Sequence, residues 1–173
     1  MTFRTKTNWI AITGTTSAGK TTVINELAKR GHSVLDEGAR QVLSGIPLEE
    51  IVKNRAALQI DILKAKIENE SALGPSATIF LDRAIPDSIT YYRINNLDIA
   101  PSVEASHLFQ YRAILIFDPL PYVPDDIRTE DEEMVKRLDR ELEEDYRSLG
   151  YNPIRVPVMS VEERVAFILE KSG

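Results

Sequence analysis

The stretch that most constrains this chain is IAITGTTSAGKTT, Ile10 to Thr22. Only its first three residues can fill a core. The rest, apart from one lysine, are small and can turn sharply and expose backbone N–H groups. Gly14, four further residues, Gly19, Lys20 and Thr21 fit the spacing G-x-x-x-x-G-K-[ST]. An apolar strand pattern precedes them; Val23, Ile24, Leu27 and Ala28 recur at helical spacing after them, and Gly31 supplies a stop. A phosphate-binding loop is therefore expected, in which Gly14, Thr15, Thr16, Ser17, Ala18, Gly19, Lys20, Thr21 and Thr22 curve around a β-phosphate at the positive end of the following helix. Lys20 would bring a point charge to the β- and γ-phosphates, and the Thr21 hydroxyl would ligate magnesium, so ATP and Mg2+ are the expected ligands.

Short apolar runs alternate with helical patterns along the rest of the chain. Trp9 to Thr13, Ser33 to Glu37, Ala77 to Asp82, Arg112 to Asp118 and Pro153 to Val158 read as five strands. Leu48 to about Leu73 reads as one long helix with a break allowed, and Glu130 to Leu149 as another, with Val135, Leu138, Leu142, Tyr146 and Leu149 on one face. Ser160 and Glu163 form a capping box before the last helix. This alternation predicts an α/β fold, a five-stranded parallel sheet sandwiched by helices, in a single domain over residues 1–173.

Composition narrows the partners. Acidic residues outnumber basic ones 27 to 21, which argues against a broad nucleic-acid footprint. Without cysteine there are no disulfides or thiolate metal sites, and His32 and His107 are too few for a histidine-rich one, so any metal should be held by oxygen. No run approaches the roughly 20 apolar residues of a membrane span, and the first residues lack the apolar core of a signal peptide. The expectation is a cytoplasmic protein with no membrane and no nucleic-acid partner.

A magnesium–triphosphate site needs a second carboxylate anchor at a strand tip beside the loop. Asp82 and Asp118 both qualify. Asp82, followed by Arg83, is preferred, since the pair can serve a metal and a second anion; Asp118 before Pro119 suits a turn. Glu37 and Arg40, three apart at the next strand end, could face the same cleft, with Glu37 accepting a proton from an attacking hydroxyl. Arg40, Arg83, Asp87 and Tyr91 are expected to contact an acceptor, with Tyr91 or Tyr92 stacking on a planar ring. A lid is expected over about residues 119–133, its Arg128 reaching the γ-phosphate, while Arg137 and Arg140 read as a solvated, salt-paired face.

The order of these features resembles the AAA-type ATPase-like family that includes the ribosylnicotinamide kinase domain of bifunctional NAD-synthesis regulators. The resemblance rests on the loop, Glu37 with Arg40, the Asp82-Arg83 strand end continuing into IPDSITYY, DDIRTEDEE before a long helix, and LGYNPIRVPV. It implies a P-loop fold of nucleotide/nucleoside-kinase type with sheet order 2-3-1-4-5 and ATP as phosphate donor. A small-molecule kinase transferring the γ-phosphate of ATP to a hydroxyl acceptor, a nucleoside-like one among the options, is the expected activity, with catalytic roles for Lys20, Glu37, Asp82 and Arg128. An ATP hydrolase without such an acceptor, or a nucleotide sensor with little turnover, are the alternatives.

Overall fold

Strand β2 (Ile10–Gly14) is buried along its whole length, as its unbroken apolar run requires of a central parallel strand. The computed structural model of the chain describes residues 3–121 and 131–173. After the short β1 (Thr5–Lys6) and β2 come α1 (Lys20–Lys29), β3 (Ser33–Leu35), α2 (Gly38–Leu43), α3 (Leu48–Lys53), α4 (Arg55–Ser71) and β4 (Ile79–Asp82). Then follow α5 (Asp87–Ile94), α6 (Ala100–Ser106), β5 (Phe109–Gln110), β6 (Ala113–Phe117), α7 (Glu132–Ser148), β7 (Ile154–Val156) and α8 (Val161–Lys171). The main sheet runs β3-β4-β2-β6-β7 with every neighbouring pair parallel. Numbered among themselves, these five strands follow the expected order 2-3-1-4-5. In detail the architecture goes further, because β1 and β5 form a separate two-stranded parallel ladder that the sequence pattern did not indicate.

Alternation along β2 builds a core on each face. Ile10 and Ile12 pack with Val23, Ile24 and Leu27 of α1 and Val165 and Ile168 of α8. Trp9 and Ala11 face the other way, toward Ile114, Ile116 and Tyr146. The face expected for α7 is largely the one it buries, with Leu138, Leu142 and Tyr146 fully enclosed. The α8 capping box forms: Ser160 N–H donates to Glu163 Oε2 at 2.9 Å and Glu163 N–H to Ser160 Oγ at 3.2 Å.

The long helix breaks at Asn54 into α3 and α4. Asn54 donates its side-chain amide to the Glu50 carbonyl and carboxylate at 3.0 and 3.1 Å, a local bond that competes with continued helix. Helix α4 is then anchored by Glu70, which is 1% exposed and accepts from Ile85 N–H at 2.9 Å and from the Tyr111 hydroxyl at 2.6 Å. The anchor holds α4 against the β4–α5 turn, where its inner face forms one wall of the cavity described below.

Burial pushes the Glu70 carboxyl up to about 8, against the opposing pull of Tyr111 and Lys66. A folded-state value above the ordinary 4.5 means that its contribution to stability is fully present below that ordinary value and is lost as pH rises through about 8. Glu70→Gln keeps an acceptor for Ile85 N–H and a partner for Tyr111 but does not titrate. Urea unfolding should show wild type losing stability relative to Glu70→Gln, by on the order of a few kcal/mol, between about pH 5 and about pH 8. A constant difference across that range would show that Glu70 is not a buried protonated acid.

Candidate active site

The parallel sheet brings the C-terminal ends of β2, β3 and β4 to one edge, and β2 is the strand on either side of which the chain winds in opposite directions. Open α/β sheets bind ligands at such a reversal. The loop after β2 needs its glycines for two different reasons. At Gly14, with φ +138, an added Cβ would lie 2.9 Å from the Phe117 carbonyl oxygen of β6. At Gly19 the left-handed φ of +86 closes the turn into α1. Side chains from Thr16 to Thr22 line a cavity of about 580 Å3, shared with Glu37, Arg40, Arg83 and Tyr91. The volume is in the range of small-molecule and cofactor sites.

Lys20 is 5% exposed and donates to the Thr15 carbonyl of its own loop at 2.6 Å. Burial, and secondarily the Arg83 guanidinium, lower its ammonium pKa to about 7. The Thr21 hydroxyl donates to Asp82 Oδ2 at 3.1 Å and accepts from the Arg40 guanidinium, which lies 3.9 Å from the same carboxylate. Asp82 Oδ1 is buried with no partner, and burial, then Glu37, raise the carboxyl pKa. An orphaned carboxylate oxygen beside a threonine hydroxyl fits the hard, oxygen-seeking Mg2+ ion, which takes few protein ligands and fills its shell from phosphate and water. Among the described residues no cluster of three or more His, Cys, Asp or Glu offers a metal cage. Asp118, the competing carboxylate, is paired with Arg155 at 2.6 Å.

Glu37 occupies the N-cap position of α2 but caps nothing with its side chain. Its Oε1 lies 2.8 Å from Arg83 Nε. That Nε finds no well-directed hydrogen bond, so the contact is an ion pair in which the carboxylate remains open to another donor. Arg83 is held by φ +63 and lies 5.2 Å above the Tyr91 ring. Strain at a non-glycine residue of this kind is typical of functional turns.

Asp87 departs from its expected place. It is 0% exposed and outside the cavity wall, accepting from the Thr13 hydroxyl, from Ala84 N–H at 2.9 Å and from the Tyr146 hydroxyl at 2.7 Å. Burial pushes its carboxyl upward, but Lys66, Arg83 and these donors outweigh it and hold the pKa low. It is an interior brace that positions Arg83, 3.4 Å away, rather than an acceptor contact. Tyr92 packs in the core with Leu63 and Ile85, which leaves Tyr91 as the ring at the cavity. Arg137 pairs with Glu141 at 2.7 Å and Arg140 with Glu144 at 3.9 Å, the salt-paired face expected of them. Arg128 and residues 122–130 of the expected lid lie outside the described residues.

Five lining residues were not singled out from the sequence: Ala39 and Leu43 of α2, and three of α4. Gln59 and Ile62 come from α4, as does Lys66, which is 5% exposed and donates to the Ala84 carbonyl at 3.1 Å. Burial lowers the Lys66 pKa. No local feature of the Leu48 to Leu73 helical pattern marks the three α4 residues as facing the cavity.

Sheet order, loop and strand-end carboxylate together define a P-loop domain of the kinase-like type. The chain belongs to the AAA domain family, whose sequence signature spans residues 9–164. No curated protein matches the sequence. Among solved structures, NadR in complex with NR superposes with a TM-score of 0.75 at 17% identity, covering 96% of this chain and 52% of that one. Deoxyadenosine kinase from M. mycoides gives 0.68 at 20% identity, covering 94% and 97%. Thymidylate kinase from Ehrlichia chaffeensis gives 0.64 at 15%, covering 98% and 100%. At these identities the likeness is one of fold. Among the described residues no helix is long and apolar enough to cross a membrane.

The lowered Lys20 pKa generates a proton-linkage test. Near pH 8 the ammonium is largely deprotonated in the free loop, and contact with phosphate recharges it. Calorimetry of ADP binding in buffers of different ionisation enthalpy should report uptake of up to about one proton near pH 8 and less near pH 6. In Lys20→Met the uptake should vanish and affinity fall by about 1.5–3 kcal/mol. The same proton stoichiometry in both proteins would remove Lys20 from the phosphate site.

Proposed function

We propose that this chain is an ATP-dependent phosphotransferase that moves the γ-phosphoryl group to a hydroxyl of a small, nucleoside-like acceptor. The observation that carries the proposal is the placement of Glu37. A carboxylate that caps no helix lines the same cavity as Lys20 and Thr21, where hydrolysis by water would not need a second built subsite. The acceptor end of that cavity has the apolar walls of Leu43 and Ile62, the Tyr91 ring and the carboxamide of Gln59. A ring with an amide-like edge suits such walls.

Phosphoryl transfer is mostly positioning and charge stabilisation. Loop N–H groups and Lys20 hold the donor phosphates, and Thr21 with Asp82 would hold Mg2+, which when bound neutralises charge on the phosphate oxygens. Arg83 orients Glu37 through their ion pair. The acceptor oxygen attacks the γ-phosphorus as its proton passes to Glu37; the bond from γ-phosphorus to the bridging oxygen breaks, and ADP leaves with that electron pair. Arg40 and Arg83 supply positive charge beside the transferring group, and Arg128 is proposed to add to it.

A screen of nucleosides, sugars and vitamins for ADP release above the acceptor-free background tests this. Acceptor-dependent ADP supports the kinase, constant ADP supports the hydrolase, and none supports a sensor. Once an acceptor is found, Asp82→Asn should depress transfer and background hydrolysis together. Glu37→Gln should lower transfer by roughly 10²–10⁴-fold and leave background hydrolysis nearly intact. Equal losses in both reactions for both variants would contradict the division of labour.

A further inference from the structure

Arg164 of α8 is a buried cation, 3% exposed, with no direct salt bridge among the described residues; the carboxylate whose charge reaches it, Asp118, is itself paired with Arg155. Its backbone is fixed in the first turn of the helix, where Arg164 N–H donates to the Ser160 carbonyl at 2.9 Å. Its side chain runs across the Phe117 ring, with the guanidinium carbon 4.6 Å from the ring centroid. Nε donates to the Pro157 carbonyl at 3.0 Å and Nη1 to the Ala18 carbonyl at 2.6 Å, while Nη2 is buried with no partner. Burying an arginine this way is expensive unless some negative charge completes it.

The Ala18 carbonyl places that charge. A loop that points its N–H groups inward at an anion must point the matching carbonyls outward, and each outward carbonyl needs a donor. Ala18 C=O and Gly19 N–H belong to one peptide unit. A guanidinium bonded to the oxygen polarises the whole unit and makes its N–H a stronger donor. The fit is close: a Cβ on Gly19 would lie 2.9 Å from Arg164 Nη1, so the guanidinium rests directly against the loop at this residue, while the left-handed backbone angle is what calls for glycine.

We infer that Arg164 is a positioning residue of the nucleotide site, holding and polarising the Ala18–Gly19 peptide so that Gly19 N–H donates to a donor phosphate. The inference rests on the reading of the loop as a nucleotide site. It couples that site to α8, on the far side of the loop from the acceptor cavity. Arg164 touches no substrate; it acts through one peptide bond.

The test compares wild type, Arg164→Met and Arg164→Lys in three measurements: melting temperature without ligand, ADP affinity by calorimetry, and the Gly19 amide resonance in the ADP complex. Loss of a charge-assisted bond predicts ADP binding weaker by roughly 10- to 100-fold in Arg164→Met, with the Gly19 amide proton shifted upfield. Arg164→Lys, which keeps the charge but not the fork, should recover part of both. A lowered melting temperature with unchanged ADP affinity and an unchanged Gly19 resonance would overturn the inference and leave Arg164 a structural prop. Should Arg164→Met not fold, Arg164→Lys decides: weaker ADP binding with a displaced Gly19 resonance supports the role, and wild-type values for both overturn it. Wild type that fails to bind ADP would remove the nucleotide reading itself, and this inference with it.

Discussion

The candidate site depends on Asp87, a carboxylate that never reaches it. From the first turn of α5 this buried side chain collects Thr13 at the end of β2, Ala84 N–H in the turn after β4, Arg83, and Tyr146 of α7. These bonds tie the strand that carries the phosphate loop to the strand that carries Asp82, and they hold Arg83 in its left-handed conformation. Removing one partner from such a buried ionic network is costly, about 3–5 kcal/mol in comparable cases. The geometry of the cavity is thus set one layer beneath its wall, in contacts made before any ligand arrives.

Above that brace, charges are stored in forms that a nucleotide would rearrange. Lys20 rests on the Thr15 carbonyl and Arg40 rests on Thr21 beside Asp82, so both cations are satisfied locally where phosphates and a metal would otherwise sit. On the proposed reading, a triphosphate with Mg2+ would give Lys20 a better partner and Asp82 a competing cation, whose repulsion would displace Arg40.

The phosphate loop and the Asp82-Arg83 strand end were legible in the sequence because each is written in a contiguous run, small residues between a strand and a helix or a charged pair at the end of an apolar stretch; the strand order followed only from the resemblance to the family. What was not legible depends on tertiary packing. Lys64 and Lys66 sit two apart on α4, yet the side chain of one is 68% exposed beside Asp61 while the other is buried under Ala84. Nothing local separates them. Asp87 reads as an acid beside a functional turn, and only its enclosure by Thr13 and Tyr146 shows it to be a brace. Arg164 was invisible for the same reason, since its partner Ala18 is 146 residues away. The break at Asn54 carries neither proline nor glycine, and the β1–β5 ladder is too short to set up an alternation.

A crystal structure with Mg2+ and a non-hydrolysable ATP analogue tests the central claim most directly. The account predicts the β-phosphate enclosed by the N–H groups of Gly14 to Thr21, Lys20 Nζ moved from the Thr15 carbonyl onto phosphate oxygens, the metal on Thr21 Oγ1 beside Asp82, and Arg40 displaced from Thr21. A triphosphate bound elsewhere, or one bound with Lys20 still on Thr15 and the metal against Asp118, would contradict it.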